Sequence, residues 1–397
     1  MPLVSVIIPT YNAAKFICQA VNSVLEQSLR DVEVIVVDDG STDETPRVAE
    51  SWTDPRVKYI RQPHSERSVA RNTGIAHSSS PYIALLDADD WWGPAKLEKQ
   101  VALLQSHAEL GVVYCWLQQV GPSGERLRLM QGFLEPDDAT GARVLERLLL
   151  NNVPGPGTSA VIPRRCIEEV GGFKPDVSYV EDWDLCLRLA SRFPFGFVPE
   201  ALAYYRLHGN YMPRKMHQLN VPLAGTRIIE RALAFAGLPA ESPLGRKAVA
   251  KMLYYGSLMD AGVGEYESSN ERLAQAMTLD SEPFSGNLPP FVEFVAYFSN
   301  LLYDTITPLD EALSFVRGFF DNLKGEPGRL KRFRRATLGW TCAISAFEGR
   351  DMRSPERVRR SFWRAFVYDP RWLKNLGLLS IGLKACTGIG NGSGQIV

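Results

Sequence analysis

The chain of 397 residues contains no CxxC pair, no GxxxxGK[ST] segment and no HExxH spacing. Those absences exclude the common cysteine and histidine zinc patterns and the phosphate-cradling loop of P-loop nucleotidases. The first β-branched run, at 4–8, leads into Pro9-Thr10-Tyr11-Asn12 rather than a GxGxxG turn, so the pyrophosphate cradle of a dinucleotide oxidoreductase is also missing. Charge of one sign is lacking: 44 basic residues meet 45 acidic ones, which argues against a general nucleic-acid binder. No apolar run reaches the roughly 18–20 residues that cross a bilayer. The first residues lack the basic flank, apolar stretch and cleavage site of a secretion signal. Six scattered cysteines read as reduced core thiols. The expectation is a cytoplasmic protein, soluble or peripheral at the inner face of the membrane.

What is present divides the chain in two. In the first third, short apolar runs at 4–8, 32–37, 57–60 and 82–86 alternate with helical periodicity, the pattern of a mostly parallel sheet flanked by helices. Asn12 stands where a helix cap is expected, a helix is expected over 66–77, and Pro94 opens another. From 110 to 206 the pattern is mixed, with a strand at 112–117, a Pro/Gly-rich loop at 154–157 and a helix over 181–192. Beyond about residue 212 helical periodicity dominates. The expected domains are 1–215 and 216–397, the second either irregular or a degenerate tetratricopeptide-like array.

Acidic residues gather at Asp38-Asp39, Asp87 to Asp90 and Glu181-Asp182, at strand ends or beside loops. Ligands of open α/β sheets bind beyond the carboxyl ends of the strands. Asp38, Asp39 and Asp43 also suit turns and caps. Asp87 and Asp89, two apart at the exit of an extended segment, project to one side, a geometry fit for a hard cation shared with phosphate oxygens.

Five segments stand in order: Val4-Ser5-Val6-Ile7-Ile8-Pro9-Thr10-Tyr11-Asn12, Val36-Val37-Asp38-Asp39-Gly40-Ser41-Thr42-Asp43, Ala70-Arg71-Asn72-Thr73-Gly74, Leu85-Leu86-Asp87-Ala88-Asp89-Asp90 and Glu181-Asp182-Trp183-Asp184. Together they resemble the family-two inverting glycosyltransferases over about residues 1–210. The resemblance implies an α/β GT-A fold, a Rossmann-like mixed sheet, followed by a mostly α-helical C-terminal domain. It implies transfer of a sugar from a nucleoside diphosphate sugar, UDP being the commonest nucleotide among relatives, to a hydroxyl of a glycan or glycolipid acceptor, assisted by Mn2+ or Mg2+. By resemblance Pro9, Thr10 and Tyr11 line the nucleotide pocket, Asp39 accepts from the base and Arg71 meets the phosphates. Asp87 contacts the ribose or the metal's waters, and Asp89 holds the metal with His208 as a further candidate ligand. Asp90 is either the main metal ligand in place of Asp89 or the cap of the next helix. Asp182 matches the catalytic base, a role in which a carboxylate takes the acceptor's proton in the transition state. Gly172, Glu181 and Trp183 are candidates for contacts to donor or acceptor sugar, Trp183 being equally suited to a core.

A reading from another class is a non-catalytic sugar-nucleotide-binding scaffold acting through its helical half. Between 324 and 364 twelve basic residues face four acidic ones, with Phe362, Trp363, Phe366, Trp372, Leu376, Leu379 and Ile381 interleaved or just downstream. That stretch reads either as a solvated basic face or as a peripheral contact with an anionic membrane.

Overall fold

The computed structural model describes residues 1–130, 141–150, 157–177, 180–208, 214, 217–218, 220–287, 289–302, 307–351 and 354–387. Two compact units emerge, one of 1–206 with 223–248 and one of 207–222 with 249–397. In the first, β1 (Val4–Thr10) lies between β2 (Val32–Asp38) and β4 (Tyr82–Leu85), with β3 (Val57–Arg61) outside β2. All three pairings are parallel. The side chains explain the arrangement: β1 and β2 are almost continuously buried β-branched runs, the composition of strands covered on both faces. The sheet continues with β8 (Ala160–Pro163), β6 (Val112–Val120), β9 (Phe195–Arg206) and β5 (Trp91–Trp92), and β7 (Arg126–Met130) pairs with β6. Antiparallel pairings of β8 with β4 and β6 make the sheet mixed.

Helices α1 (Ile17–Leu25), α2 (Thr45–Ala49), α3 (Arg67–Ala76), α4 (Lys96–Ser106), α5 (Gly141–Leu150), α6 (Arg164–Glu169) and α7 (Glu181–Ala190) alternate with the strands. A Cβ added at Gly74 of α3 would lie 2.4 Å from Ile7 Cγ2, so this glycine lets the helix close on β1. Helix α8 (Val221–Phe235) contributes Arg231, whose Nη1 sits 3.3 Å from Asp184 Oδ1. The second unit is helical, with α9 (Pro243–Gly262) from Val249 onward, α10 (Tyr266–Leu279), α11 (Pro290–Ser299), α12 (Leu309–Asp321), α13 (Arg334–Asp351), α14 (Pro355–Tyr368) and α15 (Leu376–Thr387). Its core is aromatic, built on Phe291, Phe319, Phe320 and Phe362.

Three expectations need correction. Asn12 does not cap α1, which starts after Phe16. It adopts a φ of 52°, accepts at Oδ1 from the N–H groups of Thr42 and Asp43, and donates its own N–H to Ser41 Oγ. Asparagine tolerates this left-handed conformation, and three partners across the sheet edge outcompete a helix terminus. Of the cysteines, Cys115, Cys166, Cys186 and Cys342 are buried, but Cys18 and Cys386 are exposed, on the outward faces of α1 and α15. Within the proposed membrane-facing set, Phe362 and Ile381 are core residues, whereas Trp363 and Leu376 are exposed. Among the described residues no helix is long and apolar enough to cross a membrane.

Candidate active site

Parallel register fixes the site. Thr10 lies opposite Asp38, and Ile7 opposite Leu85, so Tyr11, Asp39 and Asp87 leave three neighbouring strands at the same edge. Pro9 is half-buried and Thr10 buried at the end of β1, while Tyr11 is 49% exposed. The Tyr11 ring stands 4.6 Å from that of His64. Asp38 accepts from the Ser41 N–H and the Tyr59 hydroxyl, and Asp43 from the Thr45 and Ala14 N–H groups, so both serve the turn roles their residue types suit. Asp39 is buried and engaged: Oδ1 accepts from Gln62 Nε2 at 2.7 Å and Ser65 N at 2.9 Å, and Oδ2 from Glu66 N at 3.0 Å. Its carboxylate thus organises the 62–66 loop that carries His64 over Tyr11, a contact the sequence did not disclose.

The segment after β4 is a tight turn, with the Asp90 N–H donating to the Asp87 carbonyl at 3.1 Å. Strand alternation therefore does not govern Asp87 and Asp89, contrary to the expectation, and the turn itself sets their directions. Both are half-buried. Asp90 is 1% exposed and does not cap α4, whose cap position is Ala95. Its Oδ2 accepts from Thr158 Oγ1 at 2.5 Å and its Oδ1 from Arg206 N at 2.9 Å. Burial, then the Asp89 and Asp87 carboxylates, push the Asp90 carboxyl well above its ordinary range. Thr158 Oγ1 also accepts from the Asp87 N–H at 3.3 Å, and the Arg206 guanidinium donates to the Asp89 carbonyl at 3.1 Å. Neither Thr158 nor Arg206 was singled out from sequence, since each lies some 70 residues or more from the turn it holds.

Arg71 connects this turn to α7. Expected to face phosphates, it is 2% exposed, with Nη1 2.5 Å from Glu181 Oε1 and Nη2 3.0 Å from Asp87 Oδ1. Burial works against its charge, but Asp87 and Glu181 more than offset it. Glu181, placed among the sugar contacts by sequence, is instead buried on this arginine. Asp182 is half-buried in the first turn of α7, and a Cβ at Gly157 would lie 3.9 Å from its Oδ2. Burial and then the Glu181 carboxylate push the Asp182 carboxyl up to about 6, against the pull of Arg71 and the Trp183 N–H. Trp183 is 3% exposed and its indole N–H donates to the Leu148 carbonyl, so it is a core residue and not an acceptor platform. It is the residue beside Asp182 on a helix whose opposite face must be apolar to pack.

Gly172 adopts a φ of 64°, and a Cβ there would stand 3.0 Å from Asn72 Oδ1. Asn72 brackets the neighbouring residue, accepting from the Phe173 N–H and donating to its carbonyl, which ties α3 to the turn before α7. His208 is exposed and falls in the second unit. The Pro/Gly-rich loop expected at 154–157 lies outside the described residues except for Gly157.

The model of the family described as Glycosyl transferase family 2 matches residues 5–170. Over 223 residues the chain is 32% identical to an uncharacterized glycosyltransferase of Rickettsia conorii, covering 55% of this chain and 36% of that protein. Over 217 residues it is 30% identical to an uncharacterized glycosyltransferase of Haemophilus influenzae, covering 53% of this chain and 67% of that protein. The chain thus spans about a third of the length of the Rickettsia conorii and Rickettsia felis relatives it matches. In fold it is similar to the crystal structure of S. aureus TarS 1-349 in complex with UDP-GlcNAc, with a TM-score of 0.54 at 18% identity over 85% of this chain and 92% of that one.

Proposed function

From the premise that the chain belongs to glycosyl transferase family 2, with a GT-A domain followed by a helix-rich remainder, we propose that it transfers a sugar from a nucleoside diphosphate sugar to an acceptor hydroxyl with inversion. One observation carries the reading: Arg71 links the Asp87 turn to Glu181, the neighbour of an Asp182 carboxyl raised to about 6. A base of that pKa is ionised at neutral pH yet accepts a proton readily. The acceptor oxygen attacks the anomeric carbon, the bond to the diphosphate breaks and the nucleoside diphosphate leaves. The acceptor's proton passes to Asp182. Arg71 is a positioning residue in this scheme, holding the turn and the base helix in register. Tyr11 and the Asp39-anchored loop face the nucleotide, and a UDP-sugar is the favoured donor, in keeping with the UDP-GlcNAc complex of the S. aureus neighbour.

The acidic turn suits a hard divalent cation, since it presents the half-buried carboxylates of Asp87 and Asp89 beside the buried Asp90. Mn2+ or Mg2+ would be held by Asp89 and would neutralise charge on the departing diphosphate. The proposed division gives 1–215 to transfer and 216–397 to a glycan or glycolipid acceptor. A peripheral membrane contact would use exposed Trp363 and Leu376, with Val367, Arg359 and Arg360 on α14, and sedimentation with anionic vesicles at low salt tests it. The transferase reading is tested by donor turnover: Asp182→Asn is expected to bind nucleotide sugar without consuming it. Binding without turnover in the unaltered protein would favour the scaffold reading.

A further inference from the structure

The geometry points to a second divalent-cation site, in the helical unit, formed by His217, Asp260 and Glu265. Asp260 lies near the end of α9, Glu265 precedes α10, and His217 stands in the segment before α8. Gly264, at a φ of 87°, turns the chain so that the Glu265 N–H donates to the Asp260 carbonyl, which brings the second carboxylate back beside the first. His217 Nε2 is 3.1 Å from Glu265 Oε2 and 3.7 Å from Asp260 Oδ1, and all three ligand atoms lie within 4.8 Å of one another. A tetrahedral ion with bonds of about 2.0–2.2 Å separates its ligand atoms by about 3.3–3.6 Å, so little movement is needed to seat one.

The independent sign of a missing ligand is Asp260 itself. Its residue is 1% exposed, and Oδ2 accepts from Arg272 Nε at 2.8 Å and Ser268 Oγ at 2.7 Å. Oδ1, aimed toward His217, has no hydrogen-bond partner among the described residues. A buried anionic oxygen is costly to leave so, and a cation among the three side chains would satisfy it. Arg272 and Ser268 then act as the outer partners that orient a ligating carboxylate. The side chains of His217 and Glu265 are 31% and 55% exposed, which leaves room for water to complete the coordination. One imidazole with two carboxylates suits Zn2+ first and Mn2+ next, and disfavours Mg2+, which prefers oxygen ligands alone. Occupied, the site would pin the segment before α8 to the α9–α10 turn.

The test titrates ZnCl2 alone, by calorimetry, into full-length protein stripped with chelator, in an Asp89→Ala background so that the acidic turn of the first unit does not contribute. One equivalent is expected to bind and to raise the melting temperature. In His217→Ala and Glu265→Gln, built on the same background, affinity should fall at least about tenfold while the metal-free melting temperature stays unchanged. Glu265→Gln, at an exposed position, keeps the test open if His217→Ala fails to fold. Absence of Zn2+ binding in the Asp89→Ala protein would overturn the site, leaving an ordinary His–carboxylate ion pair. So would binding that both variants retain.

Discussion

Arg71 Nη1 and Glu181 Oε1 meet at 2.5 Å in a buried ion pair between α3 and α7. Removing one member of such a pair strands the other charge, at a cost of about 3–5 kcal/mol, whereas replacing both with apolar side chains is often neutral. Arg71→Met is therefore expected to lower unfolding stability by about 3–5 kcal/mol, and Arg71→Met with Glu181→Leu to recover most of that loss in urea titrations. Donor turnover should stay low in both, because Asp87 has lost the cation that holds it.

The raised Asp182 carboxyl separates stability from activity. Its folded pKa of about 6 exceeds the ordinary value of 3.8, so the folded state binds the proton more tightly than the unfolded chain. Stability from this group is present at low pH and is lost as pH rises from about 4 through 6. Asp182→Asn is expected to raise stability by on the order of 1–3 kcal/mol at pH 8, with the gain vanishing near pH 4, while turnover falls at least about 100-fold. In the unaltered protein, log kcat/KM should decline with unit slope as pH drops below about 6. Melting curves and initial rates from pH 4 to 9 check both halves.

Asp89 and Asp90 are adjacent but differ in environment. Asp90 is buried, carries a raised pKa and accepts from Thr158 and Arg206, so an uncharged amide mimics the form the fold favours. Asp90→Asn should keep stability within about 1 kcal/mol and retain most metal-dependent turnover. Asp89→Asn should fold equally well and lose turnover by about 100-fold or more, since a cation held at a departing diphosphate supplies several kcal/mol. Equal losses in both variants would contradict the assignment.

Gly172→Ala forces a side chain into a φ of 64° with its Cβ 3.0 Å from Asn72 Oδ1. A loss of about 1–3 kcal/mol is expected, readable by chemical denaturation.

The parallel half of the sheet was legible because strands buried on both faces must be continuous apolar runs, as 4–8 and 32–37 are. Helix α7 was legible from the acidic start and apolar rhythm of 181–192. What sequence could not show depends on distant partners. Asn12 reads as a cap until Ser41, Thr42 and Asp43 stand beside it, and Asp90 reads as the cap of α4 until Ala95 takes that position and Thr158 and Arg206 hold its carboxylate. Trp183 beside a proposed base invites a sugar-stacking role, and only the packing of α7 buries it. The short strands β5 and β8 carry too few residues for a period-two signal, and β9 follows β6 through register shifts that disrupt one.

The central claim is a nucleotide-sugar site completed by a cation at Asp89. Its most direct test is a thermal-shift titration with UDP-, GDP- and dTDP-sugars, with and without Mn2+. One nucleotide, UDP by preference, should raise the melting temperature only when Mn2+ is present, and Asp89→Ala should abolish that shift. Folded protein that responds to no sugar nucleotide in the presence of Mn2+ would contradict it.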